Sequence, residues 1–195
     1  MEKQTCDWPS NDPLMIQYHD TEWGVPLHDD TRIFEFFVLD AFQAGLSWRT
    51  VLHKRENFRK AFHGFDAFVI SRYGEDDFLR LVSDQGIIRN KAKIRGTIIN
   101  AGKFLEIQRE FGTFERYIWQ FTGGKTIDNQ LSSLSGMPVT SSESDAMSKD
   151  LINRGFKFAG STICYAFMQA AGMVNDHLVR CHRHKYINSL TQSTL

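Results

Sequence analysis

Asp40 is the acid placed where a carboxylate is hardest to keep. It sits in the stretch 30–48, DTRIFEFFVLDAFQAGLSW, where Ile33, Phe34, Phe36, Phe37, Val38, Leu39, Ala41 and Phe42 leave a helix almost no polar face. Asp30 or Thr31 can cap its start, and Gly45 can end it. Residues three and four positions apart share a helix face, so Asp40 falls beside Phe36, Phe37, Gln43 and Ala44, away from water. Glu35 lies about 140° around the axis from it and is expected to point to solvent, which leaves one buried carboxylate. Such a group needs a partner, and acids so placed concentrate at functional sites, although a neighbouring amide or Arg would also satisfy it. The next residues tip the balance. Gly45-Leu46-Ser47-Trp48 leaves the helix through a glycine, presents a leucine at a turn and restarts a helix at Ser47. A carboxylate, an apolar turn residue and an indole within nine residues describe the wall of a pocket.

Metal chemistry is spelled at the two ends of the chain. His177 and Cys181 are four positions apart, so one helical turn brings them to a common face, and Cys6 and His19 can complete a Cys₂His₂ tetrahedron. His182 and His184 leave the choice of imidazole open. The mechanical case for a closed structural Zn²⁺ is that it staples an irregular N-terminal arm to a short C-terminal helix. The His-x-Glu and Pro-Cys-x-x-Cys pattern of zinc deaminases does not occur.

Phosphate chemistry is spelled between Asp84 and Arg95. A glycine turn at Gly86 precedes a helix whose first residues include Arg89, Asn90, Lys91 and Lys93, and a helix N-terminus offers free N–H groups to an anion. The same pattern also fits an ordinary solvated helix start. From Gln85 to Lys103 there are five basic residues and no acid, which favours phosphate, and contacts of this kind hold a duplex in register without reading it. Trp8, Tyr18, Trp23 and Trp48 form an aromatic set; aromatics usually fill cores, but three of these lie in the arm beside the proposed ligands, and aromatic faces are how a flipped base is held.

The elements that must position these groups are helical. Beyond the central helix, the pattern predicts a short helix at Leu14–His19 and longer ones from Ser47 to about His63, Glu75–Ser83, Asn90–Phe111, Thr113–Phe121, Ser144–Arg154 and Ser161–Ala171, with 122–143 as a loop. Strand-like alternation is scarce, so the class is all-α. At 195 residues with 16 phenylalanines the chain can build one domain over 1–195, or two packed helical lobes. No apolar run reaches membrane-spanning length and the N-terminus lacks a signal-peptide segment, so a soluble intracellular protein is expected. Cys6, Cys164 and Cys181 are an odd set, read as thiols or ligands in a reducing compartment. The net charge of zero argues by itself against nucleic acid, yet it hides an acidic first 30 residues and the basic stretches after Gln85 and His177.

Tyr18-His-Asp-x-Glu-Trp-Gly24, Gln43-Ala-Gly-Leu-Ser-Trp48, Lys54-Arg-Glu-Asn57, Gly86-Ile-Ile-Arg89, Gly155-Phe-Lys-Phe158, Thr162-Ile-Cys-Tyr-x-Phe-Met-Gln169 and Val174-Asn-Asp-His177 together resemble the 3-methyladenine-DNA glycosylase I family of bacterial base-excision repair, from Cys6 to about Cys181. The resemblance implies a helix-hairpin-helix DNA glycosylase-like fold with a zinc-anchored N-terminal arm. It implies Cys6, His19, His177 and Cys181 as zinc ligands and Tyr18 and Trp48 as base-pocket residues, with Trp8 and Trp23 as further aromatic candidates. Asp40 stands where the family usually has Glu, and Phe42 replaces a polar residue. Both departures bear on substrate range more than on reaction type.

On this reading the chain flips an alkylated base from double-stranded DNA and hydrolyses its N-glycosidic bond, releasing free 3-methyladenine and leaving an abasic site. Asp40 and Tyr18 hold the base edge, Trp48 stacks on it, Leu46 beside Gly45 fills the gap in the duplex, and Gly86, Arg89, Asn90, Lys91 and Lys93 form the DNA-gripping hairpin. No motif marks a Schiff-base lysine, so a monofunctional enzyme is expected. A monomer acting on the nucleoid in the bacterial cytoplasm follows. Two other readings remain: a non-catalytic damaged-DNA-binding protein of the same fold, and a zinc-stabilised helical module with a protein partner.

Overall fold

The structure, a computed structural model, describes residues 4–192, with side chains to 190; the outermost positions of the expected 1–195 domain lie outside the described residues. The element order is α1 (Pro13–Thr21), α2 (Asp30–Gln43), α3 (Trp48–Leu52), α4 (Arg55–Ala61), α5 (Ala67–Ile70), α6 (Glu75–Ser83), α7 (Lys91–Phe111), α8 (Phe114–Trp119), β1 (Ile127–Asp128), α9 (Ser142–Asn153), α10 (Ser161–Ala170), β2 (Val174–Asn175) and α11 (His182–Gln192). No helix among the described residues is long and apolar enough to cross a membrane.

Helix α2 is the axis of the core. Every residue from Ile33 to Phe42 is buried, and α3, α7, α8 and α10 pack around it. Aromatic rings carry much of that packing: Phe34 meets Phe104 at 4.9 Å, Phe37 meets Phe156 and Phe167 at 5.6 Å, and Phe42 meets Phe58 at 4.8 Å. Its N-cap is Asp29, which accepts from the Arg32 amide, and not Asp30 or Thr31. Asp30 turns away to accept from Gln108 and from the amides of Phe114 and Glu115, tying α2 to the start of α8.

Glu35 does not face solvent. It is 5 % exposed and accepts from Arg55 and Arg59 of α4, while Arg55 also pairs with Glu22 and lies 4.8 Å from the Phe36 ring centroid. Helix periodicity counts only positions on α2; the face opposite Asp40 is covered because α4 folds across it and brings two guanidinium groups.

The segment expected as one helix from Ser47 to His63 is divided. Ser47 caps α3 as expected, but α3 ends at Leu52, where His53 bonds Asp12 and Lys54 reaches the Gln85 and Gly86 carbonyls. Helix α6 keeps the expected bounds, and α7, α9 and α10 keep theirs to within two residues. The 122–143 segment is not a free loop: Ile127 and Asp128 pair in parallel with Val174 and Asn175. The arm is tied down by backbone bonds from Gly24 N to Gln169 O and Leu27 N to Ala171 O, and a Cβ on Gly172 (φ +70°) would meet the Val25 backbone at 2.3 Å.

Candidate active site

The end of α2, the start of α3, the arm and α10 enclose a cavity of about 240 Å³ lined by Trp8, Tyr18, Trp23, Asp40, Gln43, Trp48, Leu134, Met137, Ala166 and Gln169. Gly45, with φ +80°, makes the turn that carries Trp48 back toward Asp40. Tyr18 and Trp48 lie 5.1 Å apart with planes tilted 45°, Trp8 and Trp23 5.0 Å apart edge to face, and Trp8 and Tyr18 6.3 Å apart. All five expected pocket residues therefore converge.

Asp40 is 4 % exposed and its Oδ2 has no hydrogen-bond partner among the described residues; the same holds for the indole N–H groups of Trp8 and Trp48. Burial pushes the Asp40 carboxyl well above the usual carboxylate range, and the charge of Arg55 opposes this only in part. Burial also raises the Tyr18 phenol, helped by the nearby Asp40. A binding surface with orphaned polar atoms inside an aromatic cage is built for a flat, polar-edged ligand.

Sequence reasoning missed Gln43, Leu134, Met137, Ala166 and Gln169. Gln169 is a polar residue near the end of the apolar helix α10, a signal that was legible; Leu134 and Met137 come from the irregular 122–143 segment, where no periodicity marks a wall.

Behind the cage, Cys6, His19, His177 and Cys181 are all buried, with their ligand atoms within 4.8 Å of one another. Cys181 Sγ lies 3.6 Å from His19 Nε2 and 3.7 Å from His177 Nδ1, and Cys6 Sγ lies 3.8 Å from His177 Nδ1. His177 and Cys181 meet through a turn and not on a helix, since α11 begins only at His182. His182 bonds the Gln4 carbonyl and His184 bonds Asp128, so neither joins the cluster. The cluster touches the cage directly, with the His177 and Trp23 rings 4.6 Å apart.

At the turn that follows α2, Leu46 is 44 % exposed. Helices α6 and α7 are joined by a short turn in which Asp84 accepts from the Gly86 amide, and a Cβ on Gly86 would meet Asn57 at 3.2 Å. Asn90 caps α7 by accepting from the Lys93 amide. Arg89 and Lys91 are exposed and form no ion pair among the described residues. Lys93 is different: it is 7 % exposed and its Nζ donates to the carbonyls of Phe42 (2.9 Å) and Ala44 (2.6 Å). It satisfies the C-terminal carbonyls of α2 and is not presented outward with Lys91, because residue 93 lies on the face of α7 that packs on α2.

A family model described as methyladenine glycosylase matches residues 8–184. Over 178 residues the chain is 49 % identical to DNA-3-methyladenine glycosylase 1 of Escherichia coli K12, covering 91 % of this chain and 95 % of that protein. A crystal structure of 3-methyladenine DNA glycosylase I, 49 % identical, superposes with a TM-score of 0.89 over 92 % of this chain and 98 % of its own. A structure on 3-methyladenine recognition by the Staphylococcus aureus enzyme, 32 % identical, gives a TM-score of 0.88 over 91 % and 95 %. With sequence and fold agreeing over nearly its full described length, the chain belongs to the methyladenine glycosylase family.

Proposed function

We propose that this protein is a monofunctional DNA-3-methyladenine glycosylase of bacterial base-excision repair, acting as a monomer on alkylated duplex DNA. The observation that carries the reading is the aromatic cage around the unpartnered, buried Asp40 carboxyl. The cavity, about 240 Å³, falls below the roughly 300–1,000 Å³ of sites for drug-sized ligands and suits a single flipped base.

Methylation at N3 makes the adenine of the nucleotide cationic and a good leaving group. When the C–N bond breaks, its electron pair neutralises the departing base, and water adds to the sugar carbon and loses a proton. The protein therefore has to hold the cation and let it leave. Stacking on Trp48 attracts positive charge, Tyr18 holds the base edge, and a cationic base supplies the counter-charge that Asp40 lacks, favouring its ionised form. An unmodified neutral base brings no such charge. Leu46 would fill the gap left in the duplex, and Arg89, Lys91 and the Gly86–Asn90 turn would hold its phosphates as a helix-hairpin-helix element.

A structural Zn²⁺ fits the Cys6, His19, His177 and Cys181 set. Ideal Zn–S and Zn–N lengths in a tetrahedron place sulfur about 3.6 Å from nitrogen, close to the 3.6, 3.7 and 3.8 Å separations here. The outer partners agree. His177 Nε2 donates to the Trp23 carbonyl and His19 Nδ1 to Asp20, which leaves Nδ1 of the first and Nε2 of the second as the lone-pair nitrogens facing the thiols. Burial lowers the His177 pKa, favouring the neutral form a ligand needs. When bound, the metal would supply rigidity and not a reactive water, since four protein ligands close its coordination.

The test is incubation with methylated duplex DNA and chromatography of the released bases. Free 3-methyladenine with little 7-methylguanine is expected. A folded protein that binds the DNA and releases no base would overturn the proposal in favour of a non-catalytic damaged-DNA-binding protein.

A further inference from the structure

Asp176 fixes which end of the Gln169 amide is left to the base pocket, and we infer that Gln169 Oε1 reads an exocyclic amine on the bound base. The inference rests on the glycosylase reading and adds a specificity residue to it. Asp176, 1 % exposed, accepts from Asn129 Nδ2 at 2.6 Å, Tyr165 OH at 2.9 Å and Gln169 Nε2 at 2.7 Å. Asn129 also donates to the Tyr165 hydroxyl at 3.0 Å, which closes the network. An ionised carboxylate only accepts, so each neighbour must turn an N–H or O–H toward it. Rotating the Gln169 amide by 180° would set its oxygen against the Asp176 carboxylate. The backbone holds the arrangement as well, since Asn129 and Asp176 directly follow the paired residues of β1 and β2.

With one N–H committed to Asp176 and the NH₂ end of the amide turned that way, the other end of Gln169 is its carbonyl oxygen, and the side chain lines the cavity. That oxygen accepts and cannot donate. It favours a purine with an amine on its six-membered ring, as in 3-methyladenine, and disfavours one that turns a carbonyl oxygen to the same place. Asp40 and Gln169 together make two acceptors for one cationic, amine-bearing ring. Asp176 acts through Gln169 and is a positioning residue.

The experiment measures affinities of 3-methyladenine and of 3-methylpurine, which lacks the amine, by quenching of the pocket tryptophans in wild-type protein, Gln169→Met and Asp176→Asn. Wild type is expected to prefer 3-methyladenine by about tenfold, Gln169→Met to lose that preference while holding 3-methylpurine unchanged, and Asp176→Asn to lose part of it because an Asn can pair with either end of the amide. Should Asp176→Asn fail to fold, the Gln169→Met arm decides. If Gln169→Met weakens both ligands equally, or keeps the wild-type ratio, the inference is wrong and Gln169 is structural. Failure of wild type to bind 3-methyladenine at all would instead remove the glycosylase reading of the pocket.

Discussion

At the scale of single residues, the sequence carries Asp40 openly and hides Glu35. An acid between Leu39 and Ala41, on the apolar face of the helix, is visible without a structure, and its burial and raised pKa follow from that pattern. The pairing of Glu35 with Arg55 and Arg59 depends on where another helix lands, which spacing along α2 does not encode. Asp40 should also cost the protein stability. Its folded pKa lies above that of an unfolded Asp, about 3.9, so the native state is favoured most below that pH and loses stability as pH rises through the folded value. Asp40→Asn has nothing to ionise. Urea melts should therefore show Asp40→Asn more stable than wild type at neutral pH, with the gap closing toward pH ~4. A gap independent of pH would mean that Asp40 is not held in its neutral form. The same variant should release 3-methyladenine with reduced discrimination, the usual opposition of stability and activity at a binding site.

At the scale of elements, long helices were legible and their interruptions were not. Helix α6 follows from apolar spacing and α7 from spacing with its Asn90 cap, whereas the break between α3 and α4 comes from His53 and Lys54 reaching distant partners. The bridge of β1 and β2 is two residues long, too short for alternation to register, although it carries the segment bearing Leu134 and Met137. The two lysines of α7 show what this means for function. Lys91 is exposed at a helix N-terminus, where a cation opposes the dipole unless an anion comes between them, while Lys93 is spent on the carbonyls of α2. Lys91→Ala should weaken duplex binding and lower the slope of log K against log salt by about one. Lys93→Met should leave that slope unchanged and lower stability by about 1–3 kcal/mol, because the Phe42 and Ala44 carbonyls lose their donor. The opposite pattern, a lower slope for Lys93→Met alone, would return Lys93 to the DNA surface.

At the scale of the whole molecule, the four-ligand cluster is where the N-terminal arm meets the C-terminal turn. Cys6 and His19 come from the arm and its helix α1, His177 and Cys181 from the turn before α11, and the Trp23 ring packs on His177. A metal there would tie residues more than 150 positions apart and would hold Trp8, Tyr18 and Trp23 against the pocket. Structural zinc contributes roughly 10–16 kcal/mol in small peptides, against a total stability of roughly 5–15 kcal/mol for a typical domain. Its loss should therefore be felt by the entire fold. Purified protein is expected to hold about one zinc per chain. Stripping it with a chelator should lower the melting temperature by at least ~10 °C, red-shift the tryptophan emission and abolish 3-methyladenine binding. Cys181→Ala should do the same, whereas Cys164→Ala should keep its zinc, because the Cys164 thiol bonds the Ala159 carbonyl away from the cluster. Protein prepared under reducing conditions that holds no zinc, and melts identically with and without chelator, would show that thiols and imidazoles alone hold the arm in place.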